Sequence, residues 1–176
     1  PVVPHVPGGV RAVDPRIQQP RRSKVDLHQM PGSHSLDQLT KTIKARLSTA
    51  RQGDRLQVQV EVANAAAGHH VPTGSPLRQL VLELRVEAYN GTDFREERVY
   101  RRTVADRHGV VIEREHLAFL KGAQVVSDTR LQADEKRIES FSFPIPPGIA
   151  AEVKAAFWYY YSPLARTEAQ KRVKFL

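Results

Sequence analysis

The sequence contains no cysteine, a single tryptophan, a single methionine and only 7% aromatic residues. The missing cysteine excludes disulfides, a thiol nucleophile, cysteine-ligated zinc and iron–sulfur clusters. It also excludes C-x-x-C-H, so this sequence cannot attach a c-type haem covalently. No apolar run approaches the ~18 residues of a membrane-spanning helix. There is no G-x-G-x-x-G, no phosphate loop and no G-x-S-x-G. Ser33, His34, Ser35 and Asp37 are neighbours in sequence, but a catalytic triad needs side chains converging from separate elements. The chain is therefore not read as an independent enzyme. Its formal charge is +8 and its pI about 10.0. Blocks of like charge are nevertheless absent, and no basic stripe is interleaved with aromatics, so nucleic acid is not the expected partner.

What is present suits one domain. The 176 residues are 40% hydrophobic, enough for a core. Residues 1–34 hold six of the twelve prolines. Proline tolerates neither a long helix nor a central strand, so this segment is expected to be an extended arm. Ser35 with Gln38 three residues later has the spacing of a capping box. Leu36, Leu39, Ile43, Leu47 and Ala50 then form one helical stripe, with Gly53 just beyond. An amphipathic helix is expected over 36–50, within a segment 35–52.

From Arg55 the period changes to two. Leu56, Val58, Val60 and Val62 alternate with polar residues, as do Leu80, Leu82, Leu84 and Val86. Asn90–Gly91 marks a tight hairpin. Further strands are expected near 97–104, 109–113, 122–128, 136–145 and 151–161. The expected fold is mostly β: an immunoglobulin-like antiparallel sandwich of about seven strands over 53–163. It is preceded by the arm and the helix and followed by a basic tail, 164–176. In "AFWYYYSP" Phe157, Tyr159 and Tyr161 share one face, which is core. Trp158 and Tyr160 share the other, which the arm or helix covers unless a partner does.

Four of the seven histidines stand among prolines and glycines: His28 and His34 in "DLHQMPGSHS", His69 and His70 in "GHHVPTG". Imidazole is the commonest protein metal ligand, and a stiff loop holds a ligand without an ordering cost. Pro72 fixes its own φ and pushes Val71 extended, which presents His69 and His70 rigidly. His34 immediately precedes the helix cap, where the helix dipole favours the neutral, ligating form. No H-x-H, H-x-x-x-H or H-E-x-x-H occurs, so a metal site complete within this chain is not expected.

The order "PGSHS", helix, alternating strand and then "N…GHHVPTG…R…LEL.V…NG" resembles the C-terminal part of bacterial multihaem c-type cytochromes. There a haem-free β-sandwich follows a G-x-H-S segment and opens on an N-x-x-x-G-H-x-x-P-T-G loop. "SDTRLQADEKRIESFSFPIPPG" and "VKAAFWYYYSP" are similar to its closing strands, so the resemblance spans residues 26–163. It implies a periplasmic or extracellular bacterial setting. It implies that His69 and His34 ligate haem iron in trans, with His28 and His70 as further cofactor-binding candidates. Since C-x-x-C-H is missing, the haem c belongs to a partner chain or to sequence upstream of "PVVPHVPGG". The expected partner is a multihaem cytochrome or another electron-transfer subunit. Two alternatives stand beside this: a purely structural accessory subunit of a larger membrane-associated assembly, and a small-ligand or carbohydrate-binding sandwich using the aromatics at 156–163.

Overall fold

A computed structural model of the chain describes residues 2–4, 24–26, 35–161 and 172–176. Within the first 34 residues, β1 (Val2–Pro4) pairs antiparallel with β2 (Lys24–Asp26), and this unit is separate from Ser35–Leu176. The remainder of the proline-rich arm lies outside the described residues.

The second unit is an antiparallel β-sandwich, as expected. After α1 (Leu36–Thr42) come β3 (Ile43–Gln52), β4 (Arg55–Asn64), β5 (Gln79–Ala88) and β6 (Asp93–Ala105). Then follow α2 (Glu115–Lys121), β7 (Gln124–Asp128), β8 (Lys136–Phe143), β9 (Ala151–Tyr160) and β10 (Arg172–Lys174). One sheet has the order β10-β9-β5-β6-β7, the other β3-β4-β8. The period-2 residues face inward between them. Val58, Val60 and Val62 of β4 and Leu80, Leu82, Leu84 and Val86 of β5 are fully buried in one shared core. Across the gap β6 meets β8 by three unlike contacts. Phe94 packs on Phe143 at 5.3 Å, Arg98 lies 4.3 Å over the Phe141 ring, and Tyr100 donates to Glu139 at 2.9 Å. Burial pushes the Tyr100 hydroxyl far above its ordinary range, and the Glu139 carboxylate adds to this, so Tyr100 stays a donor.

The expected helix over 36–50 is shorter than its stripe suggested. Ser35 caps it as expected, accepting from Gln38 N at 3.3 Å, but the helix stops at Thr42. Residues 43–52 are instead strand β3, paired with β4 in an unbroken register from Ile43↔Asn64 to Gln52↔Arg55. Ile43, Leu47 and Ala50 fit a helical stripe, yet Ile43, Ala45, Leu47 and Thr49 alternate equally well. The available edge of β4 decides, because each backbone group then gains a ladder partner. Gly53 is the turn residue of that hairpin, at φ +58°, not the end of a helix. Both roles need the same left-handed backbone.

Three further differences follow from pairing that local patterns do not reveal. Residues 109–113 make only an isolated bridge, Ala105↔Val111, rather than a strand. Residues 115–121 are a helix. The tail expected over 164–176 returns as β10, which pairs with β9 and sets Phe175 6.1 Å from Phe157; residues 162–171 lie outside the described residues. The aromatic run divides as expected. Phe157 and Tyr159 enter the core, while Tyr160 is buried on the opposite face with Val81. Arg172 covers Trp158 at 4.8 Å.

The fold yields a contrast in stability. Leu82→Ala removes a fully buried side chain and should cost about 2–5 kcal/mol. Leu47→Ala, on edge strand β3 and 39% exposed, should cost below ~1 kcal/mol. Urea unfolding of the two variants, with unchanged m-values, checks this; equal costs would contradict the inward assignment of β5 and the edge position of β3.

Candidate functional site

The loop over 65–78 leaves β4 at Asn64, a side chain only 1% exposed. Its Nδ2 donates to the His69 carbonyl at 2.9 Å and to the Gln132 carbonyl at 2.8 Å, and its Oδ1 accepts from Ala67 N at 3.2 Å. Its backbone N donates to Glu135 O at 3.0 Å. One buried amide thus joins the histidine loop to the segment 129–135 between β7 and β8. Val71 and Leu131, both buried, add a reciprocal pair of backbone bonds at 2.8 and 2.9 Å. Pro72 follows, also buried. Gly74 at φ +87° lies under the Arg78 guanidinium, where a Cβ would come within 2.7 Å of Nη1. Arg78 Nη1 in turn donates to Thr73 O at 3.3 Å. Asn64 and Arg78 thus brace the loop by hydrogen bonds beside Pro72.

His69 and His70 stand exposed on this loop with different surroundings. His69 Nδ1 lies 3.0 Å from the His70 carbonyl. A carbonyl oxygen only accepts, so Nδ1 carries the proton and the Nε2 lone pair is left unprotonated in the neutral ring. A ligating histidine is commonly set up in this way, its second nitrogen donating to a carbonyl. His70 instead lies within electrostatic reach of two carboxylates. Asp128 is held below its usual value chiefly by Arg130, which contacts it at 2.5 and 2.8 Å, with a smaller contribution from His70. For Glu135, burial pushes upward, but Gln132 N, Arg137 and His70 together outweigh it and leave the carboxyl below its usual value. Gln132 N contacts Glu135 at 2.6 Å, and Arg137 at 2.6 and 2.8 Å.

His28 and His34 lie outside the described residues. The helix that follows His34 has only seven residues, so the dipole expected of a helix reaching residue 50 is that of two turns. Its last residue, Thr42, accepts from Ala65 N at 2.7 Å, which places α1 at the same end of the sandwich as the histidine loop. Among the described residues no three His, Asp or Glu side chains converge to hold a metal ion.

Sequence reasoning carried Asn64 as the first residue of the N-x-x-x-G-H-x-x-P-T-G pattern without a role, and passed over Leu131 and the pairs Asp128/Arg130 and Glu135/Arg137. The pairs had a signal. Each sets an acid and an arginine two residues apart, which extended backbone brings to one side. For Asn64 the signal was its place at the head of the quoted pattern, an amide at a strand end before a glycine-containing loop.

No family model matches the sequence, and no curated protein matches it. Among solved structures the chain is similar to a penta-heme cytochrome c552 from Thermochromatium tepidum, with 24% identity and a TM-score of 0.68. The match covers 85% of this chain and 42% of that one, so the chain spans less than half the length of that cytochrome. At this identity the likeness shows the fold alone.

Two outcomes follow. Asn64→Ala strands the amide and carbonyls it now joins and should cost about 2–4 kcal/mol, with faster hydrogen exchange at Ala67 and Val71. Unchanged exchange there would mean that Asn64 does not hold the loop. Second, Asp128 and Glu135 have folded values below their ordinary 3.8 and 4.5. Depressed folded values stabilise the fold above those pH values, and the contribution is lost as pH falls through the lower folded values. The thermal midpoint should therefore drop below about pH 4. Arg137→Gln should flatten that drop.

Proposed function

We propose that this chain is a haem-free domain or subunit of an extracytoplasmic, periplasmic electron-transfer complex. In this reading it docks to a multihaem c-type cytochrome and lends that partner axial imidazoles. The observation that carries it is the His69 ring, exposed, with Nδ1–H satisfied by the His70 carbonyl and Nε2 left to bind iron. The fold likeness to a penta-heme cytochrome supports it. So does the lack of cysteine, which leaves the haem to be carried by another chain or an upstream region. The residues fit the group: an exposed imidazole on a braced loop is the kind of side chain that can ligate a low-spin haem. Bound haem supplies one-electron transfer. This chain's part would be to hold the ring in place: Asn64, Val71 and Leu131 brace the loop backbone, and the His70 carbonyl engages the ring at Nδ1. His34 is the second ligand in this reading, and His28 and His70 are reserves. The chain catalyses no reaction of its own and meets its partner without a membrane span; no helix among the described residues is long and apolar enough to cross one.

A second reading, a structural accessory subunit, draws on the lack of three converging ligands among the described residues. The loop would then simply close one end of the sandwich. The sugar-binding reading loses its motive, since Tyr160 is buried and Trp158 is covered by Arg172.

The probe is a haem c peptide whose iron has one open axial position. Titrating the chain into it should produce a low-spin Soret shift. His69→Ala should weaken the apparent affinity about tenfold or more, and His108→Ala, in an exposed turn, should not. Equal binding by wild type and His69→Ala would overturn the ligand assignment and leave the scaffold reading.

A further inference from the structure

Eleven large apolar side chains are exposed among the described residues, and six of them fall between residues 110 and 126. They are Val110, Val111, Phe119, Leu120, Val125 and Val126. Scattered exposed apolar residues are ordinary, but this concentration in one short segment is not.

The segment is a flap at one end of the larger sheet. β5 begins at Gln79, opposite Arg101, but β6 continues to Ala105. β7 pairs with that overhang on one side, Arg102↔Asp128 to Ala105↔Gln124. Residues 110–112 return along it, with Asp106 N bonded to Val110 O at 3.0 Å and Ile112 N to Val104 O at 2.9 Å. α2 links the two. Its Ala118 and Leu117 pack with Leu77 and Ile112. Its Phe119 and Leu120 are 68% and 77% exposed, and every residue of β7 is exposed. A short helix that is apolar on both faces is the composition of a covered helix, not of a solvated one.

Charge selects what covers it. The chain carries +8, so two copies repel over most of their surfaces. Between residues 106 and 126, however, Asp106, Glu113 and Glu115 balance Arg107, Arg114 and Lys121, a formal net charge of zero. A neutral, apolar segment of this kind can face a copy of itself without the repulsion the rest of the +8 chain would meet, as a two-fold interface requires. The long edge strand β3 differs, since Lys44 and Arg46 project from it, the usual guard against edge association. An acidic partner would be drawn to the basic remainder of the surface rather than to this neutral flap.

We infer that the flap is a self-association surface, joining two copies of the chain about a two-fold axis. The inference does not depend on haem ligation. Sedimentation of the full chain over a range of concentrations should show a dimer whose population rises with concentration. Leu120→Lys should weaken the association about tenfold or more. Tyr89→Lys, at an 81% exposed position in the β5–β6 turn, should leave it unchanged. Because Leu120 points to solvent, circular dichroism should show both variants folded. A monomer at every concentration overturns the inference and leaves the flap to a different chain. A dimer that persists in a Phe119→Lys, Leu120→Lys double variant also overturns it.

Discussion

The Asn64 side chain occupies the point where three stretches of chain meet, and nothing else at that end of the sandwich could replace it. It is buried at the end of β4 and uses both ends of its carboxamide on backbone groups of two different loops. An aspartate could accept from Ala67 but could not donate to two carbonyls; a leucine could do neither. The cost of leaving those backbone groups unmatched in a buried place is what fixes the loop path. Everything said about His69 depends on that path, because its carbonyl is one of the two that Asn64 holds.

The same end of the molecule is dense in arginine–carboxylate pairs arranged as braces. Arg137 binds Glu135 and also donates to Thr129 O at 2.9 Å, and Arg130 grips Asp128. These pairs are partly exposed, so each contributes modestly. Their value lies in direction: they close the turn between β7 and β8, which Leu131 then docks against Val71. Beside this cluster, where Arg137 lies 5.4 Å over the Tyr100 ring, Arg98 and Glu139 carry charge into the space between sheets. There the Phe141 ring and the Tyr100 hydroxyl keep both groups partnered.

How much of this the sequence disclosed depended on the range of the interaction. Strands β4 and β5 were legible because alternation is a local property, and the Asn90–Gly91 turn because its backbone demand is local too. The α1–β3 boundary was not. Leu39, Ile43 and Leu47 satisfy a helical and an extended period together, and only the unpaired side of β4 breaks the tie. Gly53 deepened the ambiguity, since a helix end and a hairpin both want a positive φ. β10 and α2 depend on contacts with Phe157 and Leu77, far away in sequence. For the site, the loop and its two histidines stood out through Pro72 and Gly74. What separates His69 from His70 is a carbonyl 3.0 Å away, which no pattern of residue types encodes.

The overhang of β6 has a mechanical meaning. Among the described residues it is the one strand that belongs both to the flap and to the ladder with β5. That ladder runs from Gln79↔Arg101 to Glu87↔Asp93. A load drawn along the β6 axis would meet those pairs in shear, all together, instead of peeling them apart one by one. The flap is thus a handle bolted through the body of the sheet, and whatever grips it pulls on the whole sandwich.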